Sequence, residues 1–450
     1  MEQIIDACST TLGILGKPKS SGGGSRLASY CVSLQTEDGV LLFNVLTREM
    51  LLLTFAEFDA ALSSAYLQER WFTISEDQSE KELAELVHWV RASRRREPKH
   101  ITKYTILTTT DCNARCFYCY ERGCARVTMQ PETADKVVGY IQNHCGGNKV
   151  KLRWFGGEPL MNFPVIDRIC DGLRSRGIGF ESHMISNGYL FDDELVAKAS
   201  HSWELKEVQV TLDGTEAVYN RSKAFIYRDG SPYRIVTGNI LRLLNAGISV
   251  VVRLNMDLNN ADNLMELAKE LAERFSEQKQ LHVYAHLLFD TEGAGEKRYA
   301  PSQWSQLYEA LHRLEDFLSD HGLSAARFRG LRRELPLSHC MADSGNSVVI
   351  VPDGHLGLCE HYTDREFFGH IDSDEQDKDM VASWRERCDP VAECGDCFYY
   401  PECTELKKCT ARMECSGHVR FALRRDTERA MQNEYRRWRM EKAADQSKNE

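Results

Sequence analysis

The stretch CNARCFYCYE, residues 112–121, decides how this chain is read. Cys112, Cys116 and Cys119 stand at a CxxxCxxC spacing. A closed zinc site or a closed iron–sulfur site takes four protein ligands. Three thiolates on a four-iron cubane leave one iron without a protein ligand, and that iron can bind a substrate or cofactor. The missing fourth cysteine is therefore read as the functional point. The competing readings are a zinc knuckle and a redox thiol pair. Zinc would need a fourth ligand at finger spacing, and His144 is too far along the chain to propose.

Working outward, the loop follows KYTILTT, the first of six stretches with strand character. The others are KVKLRWF, FESHMIS, KEVQVTL, ISVVVRLNM and LHVYAHLLF. Between them lie the helical stretches PETADKVVGYIQNH, FPVIDRICDGLRSR, DDELVAKAS, YRIVTGNILRLLNAG and NADNLMELAKELAERF, and QWSQLYEALHRLEDFLSDHG follows the last strand. This alternation predicts an α/β fold with a parallel sheet, either curved into an open barrel or doubly wound. Chemistry in such sheets collects at the C-terminal ends of the strands. The unusual residues fall there: Cys112 after the first strand, Gly156-Gly157-Glu158-Pro159 after the second, Ser186-Asn187-Gly188 after the third and Asp213-Gly214 after the fourth.

The flanks differ. Residues 1–25 end in a linker composition and are expected to be flexible. Residues 26–97 read as a small α+β module of the winged-helix type. Its strands are LASYCVSL, GVLLFNVL and RWFTI; its helices are FAEFDAALSSAYL and SEKELAELVHWVRASRRR, the latter capped by Ser79. The strand–helix series occupies 102–325, a cysteine-rich segment 335–420, and a charged helix with a polar tail 421–450.

The 56 basic and 67 acidic residues give a net charge of −11, which argues against nucleic-acid binding. No run of about 18 apolar residues predicts a membrane span. The N-terminus lacks a signal-peptide pattern, so a cytoplasmic location is expected. Sixteen cysteines in a reducing compartment point to metal ligands rather than disulfides. Eight of them lie between 340 and 415: Cys340, Cys359, Cys388, Cys394, Cys397, Cys403, Cys409 and Cys415.

The three-cysteine loop with an aromatic residue before its last cysteine, followed by GGEP after the next strand, resembles the radical S-adenosylmethionine (SAM) superfamily. That resemblance implies a partial (β/α)6 barrel, with SAM chelated to the open iron through its amino and carboxylate groups. It implies a 5′-deoxyadenosyl radical that takes a hydrogen from the substrate. Cys112, Cys116 and Cys119 then ligate the cluster and Tyr118 contacts adenine. Gly156, Gly157 and Glu158 receive the SAM amino group, Ser186 and Asn187 lie near the ribose, and Thr211 matches a Ser/Thr position ahead of Asp-Gly. A basic residue should meet the SAM carboxylate; Arg234 is the first choice, with Arg221 and Arg253 as rivals.

The second cysteine field resembles the SPASM extension, which implies two auxiliary [4Fe–4S] clusters and three in all. Family order places Cys340, Cys359 and Cys409 on one, and Cys394, Cys397, Cys403 and Cys415 on the other. Cys388 either completes the first cluster or is no ligand. Five residues separate Cys403 from Cys409 where the family pattern has three. Such enzymes mostly modify peptides. The 26–97 module resembles one that grips the leader of a ribosomally made precursor by strand addition. The expectation is a peptide maturase installing a Cys thioether, fed by flavodoxin or ferredoxin. Carbon–carbon crosslinking and conversion of a sulfatase Cys or Ser to formylglycine are the alternatives. Asp343 is the candidate proton acceptor, and zinc ribbons are the alternative reading of the field.

Overall fold

The computed structural model describes residues 1–16, 18, 24–76, 86, 89–91, 93, 98–227, 230–275, 277–288, 300–324, 330–388, 394, 397–409, 415 and 417–449. The N-terminal part is built from β1 (Glu2–Ile5), β2 (Ser25–Leu27), β3 (Cys31–Thr36), β4 (Gly39–Asn44), β5 (Met50–Leu53) and β6 (Thr73–Ser75). Four of these make an antiparallel sheet in the order β1-β5-β4-β3, and β2 pairs separately with β6. Residues 1–16 depart from the flexible segment expected. They contribute β1, which pairs with β5, and a helix at Ser9–Leu15. FAEFDAALSSAYL is not one helix. It breaks into Phe55–Asp59, a 3-10 turn and Ala65–Glu69, because Ser64 caps a fresh start by accepting from the Leu67 N–H. LASYCVSL splits between β2 and β3, and only the end of RWFTI is strand. Most of the expected 79–96 helix, with its Ser79 cap, lies outside the described residues.

The barrel strands match their expected positions. β7 (Lys103–Thr109), β8 (Val150–Gly156), β9 (Phe180–Ser186), β10 (Leu205–Leu212), β11 (Ser249–Met256) and β12 (Leu281–Leu287) are all parallel. They neighbour one another in sequence order. Sequential neighbours joined by right-handed crossovers put every helix on one face, which makes a barrel and not a doubly wound sheet. The helices at Pro131–His144, Phe163–Ser175, Asp193–His201, Pro232–Asn245, Ala261–Phe275 and Pro301–Asp320 fill that outer layer. Period-two alternation sorts the strand residues. Val208, Val210, Val250, Val252 and Val283 join the core under the helices. Gln209 and Tyr284 point the other way and meet across the lumen, the Tyr284 hydroxyl donating to Gln209 Oε1 at 3.1 Å.

Past the barrel, the cysteine-rich segment adds strands. β13 (Ser347–Ile350) lies parallel beside β7, and β14 (His355–Gly357) and β15 (Phe367–His370) continue antiparallel, giving a nine-stranded sheet. The cysteine-rich segment is thus hydrogen-bonded to the strand that carries the cysteine loop. The last helix, Gly417–Asn449, buries Met431 and Tyr435 in the same core as Val32, Leu41 and Phe43 of the N-terminal sheet. It also reaches the barrel, where Arg429 pairs with Asp316 at 2.7 Å. Among the described residues, no helix is long and apolar enough to cross a membrane.

Candidate functional site

The C-terminal ends of β7 to β10 converge. Cys112 begins the loop after β7, its N–H held by Asp111 Oδ1 at 2.8 Å. The loop is laced to the end of β8: the Gly157 N–H donates to Thr109 O and the Glu158 N–H to Asp111 O, at 3.0 and 2.9 Å. Both glycines are required by this approach. A Cβ on Gly156, whose φ is +119°, would lie 2.1 Å from Thr109 O, and one on Gly157 would lie 2.2 Å from Asp111 O. Gly157→Ala is expected to cost about 1–3 kcal/mol of stability through overpacking against unyielding backbone. Thermal melting of the variant checks this.

Glu158 is fully buried and braces three strand ends. Its carboxylate accepts from the Leu160 N–H (3.1 Å), the Ser186 hydroxyl (2.9 Å) and the Asn187 N–H (2.8 Å). Asn187 in turn donates to Asn113 Oδ1 at 2.6 Å and stands 3.8 Å from Cys112 Sγ. Burial pushes the Glu158 pKa up to about 7, against the opposing pull of those donors. Because the folded pKa lies above the unfolded value, the folded chain keeps a proton that the unfolded chain releases. Stability from this group is therefore lost as pH rises from about 4.5 to about 7. Melting curves across that window are expected to show the decline in the wild type and a flatter profile in Glu158→Gln.

Below the loop lies a second network. The Tyr118 hydroxyl donates to Asp213 Oδ2 at 2.7 Å and accepts from Lys223 Nζ at 2.6 Å. Lys223 also donates to the Thr211 hydroxyl and pairs with Asp213 at 3.3 Å. Asn255 closes the set onto Asp213 Oδ1 at 3.1 Å. Burial disfavours the Lys223 ammonium, yet Asp213 and Tyr118 hold its pKa above the ordinary lysine value. The Arg115 N–H bonds to Lys223 O at 2.8 Å, which joins this helix to the cysteine loop.

Thr211 and Tyr118 thus meet a basic residue, though not the expected one. Arg234 is 77% exposed and pairs with Glu216 at 2.9 Å. Arg253 turns into the lumen, donating to Asn255 Oδ1 at 2.9 Å. Arg221 is exposed. The signal for Lys223 was present in EAVYNRSK, which forms the helix Glu216–Lys223: Tyr219 and Lys223 are four apart and share its buried face.

Nine of the sixteen cysteines fall into three groups within which neighbouring thiols push one another's pKa up: Cys112, Cys116 and Cys119; Cys340, Cys359 and Cys409; Cys394, Cys397 and Cys403. Burial pushes the thiols up, Cys112 and Cys359 to about 12 and Cys119 and Cys340 to about 11. A bound metal cation reverses that, replacing the proton and holding the thiolate. Among the described residues, no three His, Cys, Asp or Glu side chains close around a point that a single ion would fill. Three soft thiols per group are a donor set that a cubane would take, one at each of three irons. The Cys388 N–H donates to Glu405 O at 3.1 Å, and Cys415 is exposed.

Asp343, the candidate proton acceptor, lies at the Cys340 turn. It is buried, its carboxylate accepts from the N–H groups of His339 (2.9 Å) and Cys340 (3.1 Å), and it pairs with Arg387 at 3.2 Å. These contacts shape the Cys340 turn. Tyr120, next to Cys119, stacks on His361 with ring centroids 4.5 Å apart, so the first triad's loop touches the second's.

Residues 106–274 match the sequence model of the Radical SAM superfamily. The chain contains a radical SAM domain. Curated relatives include an uncharacterized protein of Methanocaldococcus jannaschii, 28% identical over 33% of this chain and 53% of its own length. The chain therefore spans about half of that relative. A probable GTP 3′,8-cyclase of Archaeoglobus fulgidus is 26% identical over 58% of this chain and 86% of its own. Among solved structures, native anSMEcpe with bound AdoMet and Cp18Cys peptide superposes with a TM-score of 0.59 at 16% identity, covering 75% of this chain and 99% of that one. Streptococcus suis SuiB bound to precursor peptide SuiA gives 0.52 at 11% identity, covering 86% and 100%. At such identities the likeness is one of fold.

Proposed function

We propose that this chain is a cytoplasmic radical SAM peptide maturase that crosslinks a ribosomally made precursor, with a Cys thioether as the first product to look for. The grouping of nine described cysteines into three triads, two of them in contact through Tyr120 and His361, carries the reading. Cys112, Cys116 and Cys119 would hold the SAM-binding cluster. Cys340, Cys359 and Cys409 would hold one auxiliary cluster, Cys394, Cys397 and Cys403 the other, with Cys415 and Cys388 as further ligands. When bound, SAM and a reduced cluster would supply the one-electron, hydrogen-abstracting chemistry at the end of this loop.

The chain's own residues do the positioning. Glu158, Ser186 and Asn187 fix the loop ends where the methionyl amino group and ribose would lie. Lys223, held below the loop by Asp213, Tyr118 and Thr211, would have to exchange one of these partners to meet the methionyl carboxylate, and Arg234 stays the alternative cation. The polar lumen lined by Gln209, Arg253 and Tyr284 would receive the peptide. The N-terminal antiparallel sheet offers an edge to a leader strand. That both anSMEcpe and SuiB were solved with a peptide supports a peptide substrate.

The test is co-expression with a candidate precursor under anaerobic conditions. Loss of two hydrogens per modified site, with a cysteine blocked to alkylation, supports the thioether. Release of 5′-deoxyadenosine stimulated by GTP and not by any peptide would replace the reading with a nucleotide one.

A further inference from the structure

The turn from Phe398 to Cys403 is seated in the N-terminal module. Phe398 is buried in one core with Val32, Leu41, Phe43 and Val90, and Tyr399 and Tyr400 pack against that core. Two buried arginines of the module grip the same turn. Arg91 is 9% exposed, and its Nη2 donates to Pro401 O. Its Nε–H finds no partner among the described residues. Arg48 is fully enclosed; its Nη1 pairs with Glu402 at 2.5 Å, and its Nε donates to Arg332 O at 2.8 Å. The Arg48 backbone is left-handed, with φ +68°, which a long side chain keeps only where its surroundings fix it. Pro401 and Glu402 immediately precede Cys403, whose N–H is tied back to Tyr399 O at 3.0 Å.

Burying a cation is costly unless an opposite charge meets it. Arg48 has Glu402, whereas Arg91 forms no ion pair with a carboxylate among the described residues. What Arg91 faces is sulfur. Burial raises the Cys403 pKa, and Arg91 is among the groups that pull it back. Burial and the like charge of Arg387 lower the Arg91 pKa only to about 10, so the guanidinium is charged at neutral pH. We infer that Arg91, delivered by the N-terminal module, raises the reduction potential of the iron–sulfur centre proposed on Cys394, Cys397 and Cys403, with Glu402 as the opposing charge. The inference rests on the function proposed above, which supplies the centre. A reduced cluster carries one more negative charge than its oxidised form. A fixed cation in an enclosed surrounding therefore favours reduction, and a fixed anion opposes it. The module read as a leader grip thus also decides how readily this centre accepts an electron.

The test is a redox titration of the anaerobically reconstituted full chain, with dithionite as reductant and electron paramagnetic resonance as readout. The centre is identified as the signal that Cys397→Ala removes. Arg91→Gln keeps a donor for Pro401 O and removes the charge. It is expected to lower the equilibrium constant for reduction about tenfold, a fall of about 59 mV for one electron. Arg91→Lys keeps the charge and should stay within about threefold of the wild type. Glu402→Gln removes the opposing charge and should shift the potential upward by about as much. It decides by sign if Arg91→Gln does not fold. A wild-type potential in Arg91→Gln, an equal fall in Arg91→Lys, or a potential that does not rise in Glu402→Gln overturns the inference and leaves the proposed function standing. If the wild type takes up zinc and no iron at Cys394, Cys397 and Cys403, the inference and the proposed second auxiliary cluster fall together.

Discussion

Cys116→Ala, reconstituted without oxygen, is expected to lose about four irons per chain and all SAM cleavage. Its fold should survive. Cys116 lies mid-loop, neither in a strand nor in the core under the helices, and the lacing of Gly157 and Glu158 to Thr109 and Asp111 does not pass through it. The measurement pairs iron content with 5′-deoxyadenosine release. Signals from the auxiliary triads should remain, because Cys340, Cys359 and Cys409 and Cys394, Cys397 and Cys403 keep their own surroundings. A variant that cleaves SAM at the wild-type rate would remove the first triad from the site, and every role built on it.

The second large effect is expected at Lys223. Its ammonium and the Asp213 carboxylate are almost wholly enclosed, each side chain about 3% exposed. Lys223→Met leaves Asp213 buried without its partner, and breaking one side of such a pair costs about 3–5 kcal/mol. Lys223→Met combined with Asp213→Asn removes both charges and should recover part of the loss, since neighbouring effects do not add. Thermal melting reads the stability half. The functional half is separate: if Lys223 meets the methionyl carboxylate, the double variant regains stability but still binds SAM at least about tenfold more weakly, the worth of roughly one charge-assisted hydrogen bond. SAM affinity at the wild-type level in the double variant would make Lys223 a purely structural cation. Arg234→Met, at an exposed pair, should change little by comparison.

How much of this was legible in the sequence depends on the range over which each signal acts. The barrel strands and their helices announce themselves because the hydrophobic period switches between two and 3.6 within each unit. The helix Glu216–Lys223 escaped since EAVYNRSK is mostly polar, with only Tyr219 and Lys223 buried. β13, β14 and β15 are three or four residues long and derive their order from β7, a partner more than two hundred residues away. MLLL at β5 is a short apolar run that periodicity cannot assign, and β1 exists only because β5 offers it an edge. In the site, Cys112, Glu158, Ser186 and Asn187 stand out by their positions after strands, while the grouping of the later cysteines comes from the resemblance alone. Arg234 is chosen by residue type and Asp343 by nearness to Cys340, and neither says which way a side chain turns. Only the packing shows Arg234 in solvent and Asp343 folded under its own turn.

The terminal helix has a consequence for substrate choice. It shares one hydrophobic core with the N-terminal sheet and an ion pair with the barrel, so the two are bolted at a set separation. A precursor held at one end and threaded to the other would be measured by that gap. If the proposed maturase reading holds, the enzyme would select its target by counting residues from the point of grip, as a ruler does, more than by reading the chemistry of the residues in between.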